Sequence, residues 1–108
     1  MRKLFACLFF CSAAHAGVYE SGNTLLRDLE GTEMAKMYAM GYIAGAADAY
    51  GGGSLCIPQT VTKGQLNDVV HQWLRINPQH RDMGADMLVL AALGEYWACP
   101  KNNKRKSS

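Results

Sequence analysis

Few side chains in this 108-residue chain belong to types that perform chemistry. The histidines are His15, His71 and His80, and the cysteines are Cys7, Cys11, Cys56 and Cys99. Asp68 precedes His71 by three residues, a spacing that lets the two touch on a helix and form half of an acid–base pair. No serine or free cysteine stands near them to serve as nucleophile, so a surface hydrogen bond is the plainer role. Asp48 ends a long apolar run, where a carboxylate needs a partner or a backbone amide; a bond to the glycines that follow is the simplest answer. Cys56 and Cys99, with only His71 and His80 to join them, match no zinc spacing. Nucleophilic, paired-carboxylate and metal chemistry all lack their groups, and the expectation is a protein that is not an enzyme and needs no cofactor or metal.

The first residues point to export. Arg2-Lys3, the apolar block from Leu4 to Cys11 and the Ala14-His15-Ala16 ending form the three parts of a secretory signal peptide, 1–16, leaving Gly17 as the first mature residue. Phe10 is too bulky for Cys11 to be a lipidation site. Two cysteines survive cleavage, and in an oxidising compartment an even pair reads as a disulfide, Cys56 to Cys99. Lys101, Lys104, Arg105 and Lys106 crowd a basic, Asn- and Ser-rich tail, 101–108, expected to be disordered. The body ahead of it is acidic, a poor match for nucleic acid.

The elements that would position these groups are helical. Met34 to Ala49 has no charge between Lys36 and Asp48 and no polar face, which predicts a central helix covered on every side. Gly41 and Gly45 would share one face of it, packed tightly against another backbone. The run is too short to cross a bilayer, so no stable membrane insertion is expected after cleavage of the leader. Before it, Asn23 or Ser21 can cap a short helix through Glu30 with Leu25, Leu26 and Leu29 on one side. After it, the glycine part of the Gly51–Pro58 loop should be floppy and its cysteine part pinned. Thr62-x-x-Gln65 is a capping box, followed by Leu66, Val69, Val70, Trp73 and Leu74 as one buried stripe. A polar hinge, Asn77 to Asp82, then leads to a last helix capped by Asp82 and running from Met83 to about Ala98, again apolar all round. With no strand pattern the fold class is all-α: a small four-helix bundle stapled by one disulfide, residues 17–100.

Taken in order, a signal peptide, Gly41-Tyr42-Ile43-Ala44-Gly45-Ala46-Ala47-Asp48-Ala49, Cys56-Ile57-Pro58, Val61-Thr62-x-Gly64-Gln65-Leu66 and Ala98-Cys99-Pro100 resemble the Tai-type immunity proteins of type VI secretion systems. The resemblance implies a small helical periplasmic protein that binds and blocks a cognate peptidoglycan amidase effector, often as a homodimer. It makes Cys56 and Cys99 the family's structural disulfide, and Gly41, Tyr42, Gly45 and Asp48 its central-helix signature. The resemblance implies a second cysteine pair in many relatives at positions where this chain has Leu29 and Ala39, so an apolar contact should replace that bridge. Blocking a cleft needs a projecting polar segment. The hinge residues Gln79, His80, Arg81 and Asp82, stiffened by Pro78, are the first choice, and the glycine loop from Tyr50 to Leu55 the second. An alternative role is a periplasmic acid-stress chaperone, which is also small, exported, helical and disulfide-stapled.

Overall fold

A computed structural model describes residues 19–101. The expected leader, 1–16, and the tail beyond Lys101 lie outside the described residues. The chain folds as α1 (Gly22–Leu29), α2 (Glu33–Tyr50), α3 (Lys63–Ile76), a single 3-10 turn (Pro78–His80) and α4 (Ala85–Trp97), with no strand among the described residues.

Local chemistry explains where most of these helices begin. Ser21 rather than Asn23 caps α1: its hydroxyl accepts from the Thr24 amide at 3.2 Å while its own amide donates to the Thr24 hydroxyl at 3.0 Å. Thr32 caps α2 by accepting from the Ala35 amide. On α3 the Thr62–Gln65 box closes in both directions, at 3.1 and 2.7 Å. The last helix departs from expectation. It starts at Ala85, capped by Gly84 with no side-chain bond, and Asp82 is left out of it. The reason is that the residues before it are already bonded elsewhere: the Gly22 amide donates to the Met83 carbonyl, the Asn23 amide to the Arg81 carbonyl, and the Ala85 amide to the Glu20 carbonyl. This small backbone clasp satisfies donors that the start of α1 would otherwise leave orphaned.

The core is built from one stripe of each helix. Leu25, Leu26 and Leu29 of α1, Leu66, Val70 and Leu74 of α3, and Ala85, Leu88, Val89, Ala92 and Leu93 of α4 are buried together. From α2 only Ala39, Ile43 and Ala47 join them, so the central helix is not covered on every side. Its outer face leaves Met34 80% and Met37 71% exposed. Among the described residues, no side chain or other segment comes within 4 Å of where a Cβ would sit on Gly41 or Gly45, so the tight packing expected there is absent from them. The three other helices pack against α2, but all along its Ala39–Ala47 side. The α4 helix is likewise covered on one stripe, with Met87 and Tyr96 in solvent. Leu29 and Ala39 are both buried in the core.

The loop after α2 is also tighter than its glycines suggest. The Tyr50 carbonyl accepts from the amides of Gly53, Ser54 and Leu55, and the Gly52 amide donates to the Leu55 carbonyl. Gly52 has φ +82°, a conformation that costs other residues more. The result drives Leu55 fully into the core. Next to it the Cys56 amide donates to the Trp97 carbonyl, the Cys99 amide donates to the Ser54 carbonyl, and the Cys56–Cys99 disulfide joins the two strands of chain.

A polar cluster ties α1 to α3. His71 Nε2 lies 2.8 Å from Glu30 Oε2, which also accepts from Arg75 Nη1. His71 therefore pairs across helices with Glu30, not along its own helix with Asp68. The bonds from His71 and then Arg75 hold the Glu30 carboxyl below the usual carboxylate range.

Two outcomes follow for stability. Cys56 and Cys99 are 43 residues apart, so replacing both with serine should lower the unfolding free energy by about 4 kcal/mol in the chain-entropy model, read from urea midpoints. Because the folded pKa of Glu30 lies below its unfolded one, its contribution is complete above the ordinary value of 4.5 and disappears as pH falls through the depressed native value. Glu30→Gln should therefore unfold at lower urea than the parent at neutral pH and at the same urea in strong acid. An equal gap at both pH values would refute the assignment.

Candidate functional site

The hinge is short because α3 must stop at Pro78, whose missing amide cannot continue the helix. The Asn77 side-chain amide donates to the Trp73 carbonyl at 2.9 Å, closing the end of α3. One 3-10 turn follows, in which the His80 amide donates to the Asn77 carbonyl and the Met83 amide to the His80 carbonyl. Gln79, His80 and Asp82 are exposed, whereas Arg81 is half-buried. The structure thus brings the four expected binding residues into one turn, three of them open to solvent.

Contacts beyond Pro78 also hold the hinge. The backbone clasp to α1 presses Gly22 so close that an added Cβ would lie 2.5 Å from Leu88 Cδ1 and 2.9 Å from the Arg81 carbonyl oxygen. The imidazole of His80 stacks on Trp73, with ring centroids 6.2 Å apart and planes 21° apart. Trp73 is held in turn by its indole N–H, which donates to Glu95 Oε2 at 2.9 Å. Beside this stack Ile76 and Tyr96, each 66% exposed, border a shallow depression with Trp73 and Gln72. Sequence reading missed this apolar rim. Ile76 lies off the buried Leu66–Val70–Leu74 stripe, which was the available signal; Tyr96 comes from a different helix and gave none.

The second-choice segment, the glycine loop, borders a cavity of about 590 Å³ between α2, the Cys56–Pro58 segment and the start of α3. Its walls are mainly Ala47, Leu55, Ile57 and Val61, with Asp48 and Lys63 adding one charge of each sign. Asp48 is exposed, and the bond to the glycine loop is made by its backbone carbonyl, which accepts from the Gly51 amide. The central-helix signature does not converge on one point. Gly41, Gly45 and Asp48 share the outer face of α2, while Tyr42 is half-buried. Partial burial and the nearby carboxylates of Asp86 and Glu20 push the Tyr42 phenol up, so it stays protonated.

The arrangement offers hydrogen-bonding groups, one stacked aromatic pair and apolar edges, all suited to recognition. Among the described residues no three His, Cys, Asp or Glu side chains come together as metal ligands, and no helix is long and apolar enough to cross a membrane. No match was found among curated proteins. A family model described as Rap1a immunity proteins matches residues 10–99. That match takes in all four helices, the hinge and both disulfide cysteines. The chain belongs to the Rap1a immunity protein family.

Proposed function

We propose that this chain is a periplasmic immunity protein that binds and blocks a peptidoglycan amidase effector of a type VI secretion system, with the Gln79–Asp82 turn seated in the effector's cleft. The observation that carries this reading is a polar turn fixed on both sides before any partner arrives: by the backbone clasp to α1 and by the His80–Trp73 stack. A preordered segment loses little conformational freedom on binding, so more of its contact energy appears as affinity. Gln79, His80 and Asp82 present an amide, an imidazole and a carboxylate, the kinds of group that a peptide-cutting cleft is built to bond. Trp73, Ile76 and Tyr96 supply aromatic and aliphatic anchors alongside them, where binding energy tends to concentrate. Inhibition of this kind asks no chemistry of the inhibitor. Export through residues 1–16 would deliver the chain to an oxidising compartment that suits the Cys56–Cys99 bridge. The working form on this reading is a pair of identical chains.

Replacing His80, Arg81 and Asp82 together with alanine should weaken effector binding by about tenfold or more in titration calorimetry. Far-UV circular dichroism should not change, because the hinge bonds to α1 are made by backbone atoms. Cells carrying the amidase in the periplasm should survive with the parent chain and lyse with the triple variant. Unchanged affinity would remove the hinge from the interface, and lysis with the parent chain would remove the immunity role.

A further inference from the structure

Three of the six methionines, Met34, Met37 and Met40, follow one another in steps of three along α2. Met37 and Met40, about 60° apart around the helix, both line a hollow of about 340 Å³ whose other wall is Asn67, Asp68 and His71 of α3. Neither methionine belongs to the core or to the apolar side chains packed against it, so burial does not account for their type. The hollow thus gathers two thioethers from one helix and an imidazole from another.

The imidazole is already set up to bind. His71 Nε2 lies 2.8 Å from Glu30 Oε2. An ionised carboxylate only accepts, so in the neutral ring the proton sits on Nε2 and Nδ1 keeps its lone pair. A carboxylate behind the ring, fixing its tautomer and its orientation, is the usual support of a histidine that ligates a metal. Arg75 is engaged by the same Glu30 oxygen. Of the charges on the hollow's wall, Glu33 and Lys36 pair with each other at 4.0 Å, while Asp68 has no cation within 4 Å among the described residues. The wall is therefore net negative and suits a cation.

We propose that this hollow binds copper(I), held by the Sδ atoms of Met37 and Met40 and by Nδ1 of His71. Donor chemistry selects the ion: thioether sulfur is a poor ligand for calcium or magnesium, which take oxygen, and a good one for soft copper(I), which imidazole also suits. Methionine is unbranched with three rotatable bonds, and Met37, 71% exposed, has little packing to give up in turning its sulfur inward. Cys56 and Cys99 do not compete for the ion, because they are joined to each other. A bound ion would tie α2 to α3 across the surface. None of its ligands lies in the Gln79–Asp82 turn, so the site goes beyond the immunity role and stands apart from it.

The oxidised chain from Gly17 onward, which keeps every described residue, can be titrated with copper(I) against the coloured chelator bicinchoninate under ascorbate. The parent should withdraw one ion per chain with a Kd below about a micromolar. In methyl NMR the Met37 and Met40 signals should move, while that of Met87, 56% exposed on α4, stays in place. Met37→Leu, Met40→Leu and His71→Gln should each weaken binding by about tenfold or more, and Met87→Leu should not. Leucine is close to methionine in volume, so the two hollow variants should keep the parent's circular dichroism and metal-free melting temperature. Copper(I) should raise the melting temperature of the parent and not that of Met37→Leu. No copper taken from the chelator, full affinity in Met40→Leu, or a Met87 shift as large as that of Met37 overturns the proposal. Zinc bound as tightly as copper(I) would mark a carboxylate–imidazole site and overturn the choice of ion. No effector enters these measurements, so failure of the immunity reading leaves their outcomes unaffected.

Discussion

Closure of the chain around Leu55 is the constraint on which the rest of this structure depends. The domain is small, and among the described residues the fully buried side chains are leucine, isoleucine, valine and alanine, with no aromatic ring. Such a core stabilises only marginally against the conformational entropy of the chain. Leu55 reaches the core from a loop, held there by three amides on one carbonyl behind it and by the Cys56–Cys99 bridge in front. Gly94 of α4 faces its methyl group, so the loop, the last helix and the central helix meet at this one residue. The disulfide fixes the end of α4 beside the loop that precedes α3, which sets those two helices antiparallel and brings the hinge to the opposite end of the pair.

At that opposite end a second constraint acts through the backbone. The start of α1 has amides to satisfy, and the residues around the hinge have carbonyls to offer. Pairing them fixes the turn that presents Gln79, His80 and Asp82, and it uses no side chain of the turn itself. Gln79 and Asp82 are therefore free to differ with little cost to the fold, whereas His80 also stacks on Trp73. On the function proposed above this separation matters: the scaffold is specified by backbone bonds and buried leucines, which leaves the exposed side chains for recognition.

The same separation marks which sequence expectations hold. Capping residues and amphipathic spacing are local signals: Thr32, the Thr62–Gln65 box, the Leu25–Leu29 stripe and Leu66, Val70 and Leu74 appear as the residues predict, while Val69 and Trp73, expected in the same buried stripe, are half-buried at its edge. The apolar run of α2 misled because absence of charge does not measure burial. Whether a methionine or a glycine on a helix is covered depends on how many neighbours the domain can supply, and three other helices cover only one side of this one. Glycine content likewise suggested a floppy loop, but the Tyr50 carbonyl gathers that segment into a closed turn.

By itself, then, the sequence determined the helical class, the helix starts set by capping side chains, the cysteine pair and the broad likeness to immunity proteins, because each of these is encoded within a few residues or by residue type. Only the tertiary structure decided that His71 bonds Glu30 in place of Asp68, that α4 begins beyond Asp82, that His80 is braced by Trp73, and that the glycine face of α2 looks outward. These are relations between segments far apart in the chain. They are fixed by which backbone groups and which apolar stripes find partners once the helices have packed, and no local pattern carries that information.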